Sequence, residues 1–265
     1  MINLDFLARQ YFWLDKPVEY QLKSQDKILI YPISIVNSEI FLSCVDLLMI
    51  EKNELPNPEY IAMSYLDFIF HVFINNSNKE MAETAKTQLA TLLHLCLGWE
   101  NNIEVNLTKN NKIQLVHNNI VLNSKDFEDI KRIILYQNFI DYDDSYINPD
   151  LKKAINEMNE LKFKNMDFPT LERKIAIITA HCGITKQVQM DMTFRSHSLL
   201  FKEVCGEVDY STFRTAGLIS NMFSKHPQPI EEWIYKKKHN KYAKYFTNEQ
   251  EYNTSMGGSN YIQKT

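Results

Sequence analysis

A mainly α-helical fold with one small antiparallel β-meander, packed as a multi-helix bundle, is what this sequence predicts. Three observations carry the expectation. Apolar residues recur at the helical period along most of the chain. One stretch, 103–122, alternates instead at period two between asparagine-rich turns. Only six glycines occur in 265 residues, and of the four isolated ones (Gly98, Gly183, Gly206, Gly217) three stand where a helix should stop.

The elements follow in order. Residues 3–14 read as a short aromatic helix, closed before Pro17. Lys27 to Ile35 is extended, and Pro32 marks it as an edge strand or an extended segment because proline cannot donate to a ladder. Residues 38–50 look helical, and Pro56 and Pro58 end that stretch. Ile61, Tyr65, Phe68 and Val72 share one helical face; Met81, Ala85, Leu89, Leu92 and Cys96 share another, stopped at Gly98. Residues 103–107, 113–116 and 120–122 form the meander, turning at 109–112 and at Asn118-Asn119. Asn123 or Ser124 caps a helix whose inner face is Phe127, Ile130 and Ile134.

Further on, Asn148-Pro149 is an N-cap followed by an N1 proline, and Pro169 is a second N1 candidate after a linker near 164–167. Leu171, Ile175, Ile178 and Cys182 make a stripe that ends at Gly183. Phe194, His197, Phe201, Val204 and Val208 make another that runs past Gly206, and 209–223 reads as a further helix with a small-residue strip at Ala216, Gly217 and Ser220. His226-Pro227-Gln228-Pro229 breaks the chain before a last helix at 230–246, and the polar residues from about 248 predict disorder. These readings divide the chain into an N-terminal helical region with an extended edge segment (1–100), the meander (101–124), a C-terminal helical region (125–247) and a flexible tail (248–265).

Composition narrows the function classes. Hydrophobic residues make up 45% of the chain, and no apolar run approaches the length needed to span a bilayer, so no membrane is expected. Met1 to Asp5 has no basic n-region, so no signal peptide is expected either. The net charge of −4 disfavours wholesale nucleic-acid binding. Cys44, Cys96, Cys182 and Cys205 each sit in an apolar helical pattern, which predicts buried, reduced thiols.

Motifs for chemistry are weak, and no cofactor, metal or catalytic residue is expected. The one adjacent glycine pair, Gly257-Gly258, lies in the tail, away from any strand–helix turn that could cradle phosphate. His94/Cys96 and His181/Cys182 lack the paired short spacings of a zinc site, and a helix would splay residues 181 and 182 about 100° apart. Asp141, Asp143, Asp144 and Asp150 fail the calcium-loop template, with Tyr146 where glycine is needed and Lys152 where glutamate is needed. They read as a solvated acidic loop. His197 lies on an apolar stripe, which suits a core histidine bonded to a carbonyl.

The strongest charge feature is Tyr235-Lys236-Lys237-Lys238-His239, followed by Lys241-Tyr242 and Lys244-Tyr245. Trp233, Tyr235, Lys237, Lys238 and Tyr242 form the candidate partner-binding set, because aromatic anchors beside a basic cluster match the composition of protein interfaces. Two alternatives stand beside it. The lysines can be a solvated face whose aromatics close the core, or the segment 235–245 can follow a phosphate backbone with its rings stacked on bases.

Several stretches are familiar together. They are Asp15-Lys16-Pro17-Val18, Ile28 to Ile33, Met63 to Phe68, Phe127 to Asn138, Asp191-Met192-Thr193-Phe194, Tyr210, Ala216-Gly217-Leu218 and Glu232 to Tyr235. This set, spanning most of 13–246, resembles tail-module proteins of large tailed phages of Gram-positive bacteria, of the tail-assembly-chaperone or baseplate-assembly kind. Arg195 and His197 depart from the pattern usual after the threonine. The resemblance implies a non-enzymatic morphogenesis protein that binds other phage tail or baseplate proteins. It further implies residence in the host cytoplasm before assembly, and then in the virion tail for a protein that stays. The competing readings are a nucleic-acid-binding accessory protein using 235–245 and an enzyme whose site forms only in three dimensions.

Overall fold

The computed structural model describes residues 2–52, 55, 57–100, 103–108, 110–144, 149–164 and 166–224. It is mainly α, with a three-stranded antiparallel sheet and a separate two-stranded one. The chain divides into two compact units. One comprises Met1–Tyr146 and Phe168–Cys205; the other comprises Ile147–Asp167 and Gly206–Thr265.

The first unit opens with α1 (Leu4–Gln10), capped by the Asn3 side chain, which accepts from the Phe6 N–H. A 3₁₀ turn follows at Phe12–Leu14, and Asp15, left-handed at φ 55°, turns the chain. β1 (Val18–Gln21) pairs antiparallel with β2 (Lys27–Ile30), Val18 opposite Ile30. The sequence gives little sign of β1, which is four residues long and has a single fully buried side chain, Val18. β2 stops short of Pro32. Its neighbour Tyr31 donates its N–H to the Cys96 carbonyl at 2.8 Å, so the extended segment continues outside the ladder.

α2 (Ser38–Met49) buries Phe41, Cys44, Val45, Leu47 and Leu48. The single face expected through Ile61, Tyr65, Phe68 and Val72 is broken. α3 (Glu59–Ala62) ends at Met63, and Ser64, with ψ 157°, caps the new helix α4 (Tyr65–Phe68) through its hydroxyl, which accepts from the Asp67 N–H. The chain then widens into a π-helical turn at Ile69–Ile74. Ile61 is consequently exposed while Tyr65 and Phe68 are buried. A cap hydrogen bond overrides the apolar period here.

α5 (Lys79–Leu97) runs from an Asn78 cap to Gly98, left-handed at φ 66°. β3 (Glu104–Leu107), β4 (Ile113–His117) and β5 (Ile120–Leu122) form the expected meander in the order β3-β4-β5. α6 (Ser124–Asn138) starts at Asn123, whose Oδ1 accepts from Lys125 and Asp126, and it buries Phe127, Ile130 and Ile134. α7 (Pro149–Phe163) belongs to the second unit.

α8 (Leu171–Cys182) is capped by Thr170, so Pro169 precedes the cap and is not the first helical residue. Only Ile175 and Ile178 of its stripe are buried. Cys182, the last residue before Gly183, is exposed, and Cys205 is half-buried. The expectation of four buried thiols therefore holds only for Cys44 and Cys96, the latter pushed up to about 12 by burial. α9 (Lys186–Asp191), which the sequence did not suggest, leads into α10 (Phe194–Phe223). α10 is one continuous helix where two were expected. Gly98 and Gly183 end helices; Gly206 and Gly217 lie inside this one.

Buried side-chain hydrogen bonds tie the first unit together. Asp126, fully buried, accepts from the Tyr20 hydroxyl, the Lys23 N–H and the Asn123 amide, which joins α6 to β1 and the residues just after it. Asp67 accepts from the Ser64 hydroxyl at 2.6 Å and from the Ile113 N–H at 2.9 Å, which joins α4 to β4. The end of α6 does most. Asn138 Oδ1 accepts from the Ile33 N–H at 2.9 Å, and its amide donates to Ile134 O at 2.8 Å. The Gln137 amide donates to Lys16 O and Ile30 O. On the other side of the same segment, Ile35 donates to Met192 O and Phe194 donates to Ile33 O. Asp15 accepts from the Thr193 and Ser196 hydroxyls.

Asn138 has no exposed surface. Asn138→Ala strands the buried Ile33 N–H, and the urea midpoint should report a loss of about 2–3 kcal/mol. Cys182→Ser, at an exposed position, should stay within about 0.5 kcal/mol of the parent. An unchanged midpoint for Asn138→Ala would remove this residue from the framework.

Candidate functional site

The residues singled out for partner binding, Trp233, Tyr235, Lys237, Lys238 and Tyr242, lie outside the described residues, as does the expected helix 230–246. The described residues offer two other features: an apolar face on α10 and a charged aromatic cluster around α6.

Along α10 the positions Phe194, His197, Phe201, Val204, Val208, Ser211, Thr215, Leu218 and Met222 alternate at spacings of three and four. That is the seam by which helices pack on one another. Its first part is used within the first unit: His197 and Val204 are buried, and Phe194 packs on the core. Its later part, in the second unit, is not covered by any described residue. Val208 is 48% exposed, Leu218 52% and Met222 79%, and Ile219 and Phe223 beside them are 56% and 84% exposed. The seam carries no charge between Val208 and Met222. The sequence showed the stripe as far as Val208 but could not show where its partner ends.

The second feature lies in the first unit. Lys131 of α6 places its ammonium 3.3 Å from the centroid of the Tyr65 ring. The Tyr65 hydroxyl hydrogen is shared between Leu47 O and Ile50 O, at 3.0 and 2.9 Å, and the Tyr65 N–H donates to Glu128 Oε1 at 2.7 Å. Burial holds the Tyr65 hydroxyl well above the ordinary tyrosine range. Burial also lowers Lys131 to about 8, and Glu128, which favours its charge, only partly offsets this.

One turn on, Asp144 takes the Arg132 guanidinium and the Tyr136 hydroxyl. Burial alone would raise its carboxyl, but these two partners hold it below the usual range. Asp141 takes the Lys202 ammonium at 2.8 Å. Asp141, Asp143 and Asp144 are exposed, as expected of a solvated acidic loop, and two of them, Asp141 and Asp144, also pair with cations.

His197 is 1% exposed. The Gln189 amide nitrogen faces Ile175 O, Thr179 Oγ1 and Ile184 O, so its oxygen is left to accept from His197 Nε2 at 3.2 Å. The core-histidine expectation holds, with a side-chain carbonyl in place of a backbone one. Burial and the nearby Lys174 keep this imidazole below its ordinary pKa. Chemically, then, the ionisable groups described here lock α8 to α9 and α10, and α6 to its neighbours.

Four of the stretches that carried the resemblance meet in the first unit. Asp15, Lys16, Ile30 and Ile33 are held by Gln137 and Asn138 on one side and by Thr193 and Phe194 on the other. Tyr65 is held by Glu128. No family model, characterised protein or solved structure matches this chain. No described helix is long and apolar enough to cross a membrane.

Lys131 gives a pH signature with a defined sign. Its folded-state pKa, about 8, lies below the ordinary lysine value of 10.5. Between those values the unfolded chain holds the proton that the folded chain has lost, so this residue makes stability rise with pH across roughly 8 to 10.5. Lys131→Met should flatten that rise when urea midpoints of variant and parent are compared from pH 7 to 10. A parallel pair of curves would show the ammonium to be freely solvated.

Proposed function

We propose that this chain is a non-enzymatic assembly protein that works by binding other proteins, and that its setting is tail or baseplate assembly of a tailed phage. The observation that carries the binding half is the uncharged seam of α10, exposed from Val208 to Phe223. Val208, Leu218 and Met222, with Ile219 and Phe223 beside them, hold apolar side chains in water, and covering them with another protein removes that surface from water. The phage half rests on the sequence resemblance alone. Host cytoplasm, and the virion tail if the protein is retained, are the places this reading implies.

A tagged full-length chain should co-purify with tail or baseplate proteins when these are produced in the same cell. Leu218→Asp with Met222→Asp should reduce that recovery at least tenfold. Both positions are exposed, so the circular dichroism spectrum and melting temperature should stay unchanged. Recovery equal to the parent would overturn the α10 assignment, and recovery of proteins unrelated to tails would overturn the phage setting. Trp233→Ala with Tyr235→Ala tests the aromatic segment in the same assay and should weaken recovery independently of the α10 pair.

A further inference from the structure

A groove of about 380 Å³ lies along the α2–α5 seam in the first unit. The two helices run antiparallel there. The Gln88 amide of α5 donates to Ser43 O of α2, while Asp46, Leu47 and Ile50 face the earlier turns of α5 at Glu80, Met81 and Thr84. Leu47, Ile50, Phe73, Met81 and Ala85 supply its apolar lining. Leu42 and Met49 fall on the same side of α2 as Asp46, three and four residues away, and are 41% and 42% exposed. An apolar track therefore continues along the outer edge of the groove.

Two carboxylates border this track, Asp46 on α2 and Glu80 on α5, and neither is engaged by a cation among the described residues. The polar groups at the N-terminal end of α5 are already spoken for. Asn78 Oδ1 accepts from the N–H groups of both Glu80 and Met81. What the groove lacks is an apolar ridge with positive charges beside it. Met81 adds an adaptable wall, since its thioether chain can follow different side-chain shapes.

We propose that this groove docks a basic amphipathic helix of a partner protein, laid along the α2–α5 seam as a third helix. Leucine-, isoleucine- or methionine-type side chains at i, i+4 and i+7 enter between Leu47, Met81 and Ala85. Lysine or arginine side chains on the flanks meet Asp46 and Glu80. Helix-in-groove recognition uses this spacing, and the opposed charges set the partner's sign and orientation. The surface is separate from the α10 seam and does not rest on it.

The probe is a fluorescein-labelled 16-residue helical peptide with leucine at those positions and lysine elsewhere, titrated with the full-length chain and read by anisotropy. A peptide with glutamate replacing lysine and a scrambled lysine peptide are the controls. Binding of the lysine peptide alone, weakened at least tenfold by Asp46→Lys with Glu80→Lys, is the expected result. Met81→Asp decides between docking and bulk attraction. It adds negative charge, so a purely electrostatic attraction strengthens, whereas burying a carboxylate under the helix weakens docking at least fivefold. Equal binding of the scrambled or acidic peptide, unchanged affinity in the charge-reversed chain, or tighter binding to Met81→Asp would each overturn the proposal. Leu218→Asp with Met222→Asp should leave peptide affinity unchanged, which keeps this result distinct from the α10 test.

Discussion

The capture of residues 15–35 by side chains from far along the chain is the constraint on which the first unit depends. This segment has few ladder partners of its own, because β1 and β2 pair only with each other. Its backbone groups at Ile30, Ile33 and Ile35 must be satisfied elsewhere as they are buried. Gln137 and Asn138 supply part of the need from the last turn of α6, and Met192 to Phe194 supply the rest. Gln137 Oε1 finds no acceptor role in return among the described residues. The side chain is oriented by what its amide must donate to.

From this the placement of the later helices follows. Thr193 caps the start of α10 and also donates to Asp15, so the helix begins where the N-terminal segment turns. Arg195 donates to Tyr136 O and Phe139 O just beyond α6. Gln189 and His197 then close α9 against α8 and α10. These links run from side chain to backbone or between side chains, and the buried ones, such as His197 to Gln189, are costly to leave half-made.

The surfaces differ in kind from this framework. The later part of the α10 seam and the α2–α5 groove present apolar side chains that no described residue covers, whereas the Lys131–Tyr65 cluster is saturated by its own neighbours. A lysine over a ring, with burial lowering its pKa, invites a catalytic reading. Glu128 and the two backbone carbonyls on Tyr65 account for the arrangement as packing between α6 and α4. No local pattern announced the cluster, since its members are spread from Tyr65 to Asp144 and only their convergence makes it visible.

The sequence by itself determined whatever depends on neighbours within about a turn. The helical period placed α2, α5, α6 and α8, period-two alternation placed the meander, and Asn123, Gly98 and Gly183 marked ends through their own conformational chemistry. Tertiary structure decided the rest, because the competing terms are non-local. Ser64 breaks an apolar stripe where Asp67 must reach Ile113. β1 is a strand because Val18 lies opposite Ile30. α10 runs through Gly206 without a break, although glycine weakens a helix by about 1 kcal/mol. Cys182 keeps its helical period but is exposed. Periodicity states which side chains share a face, and only the folded chain states whether that face is covered.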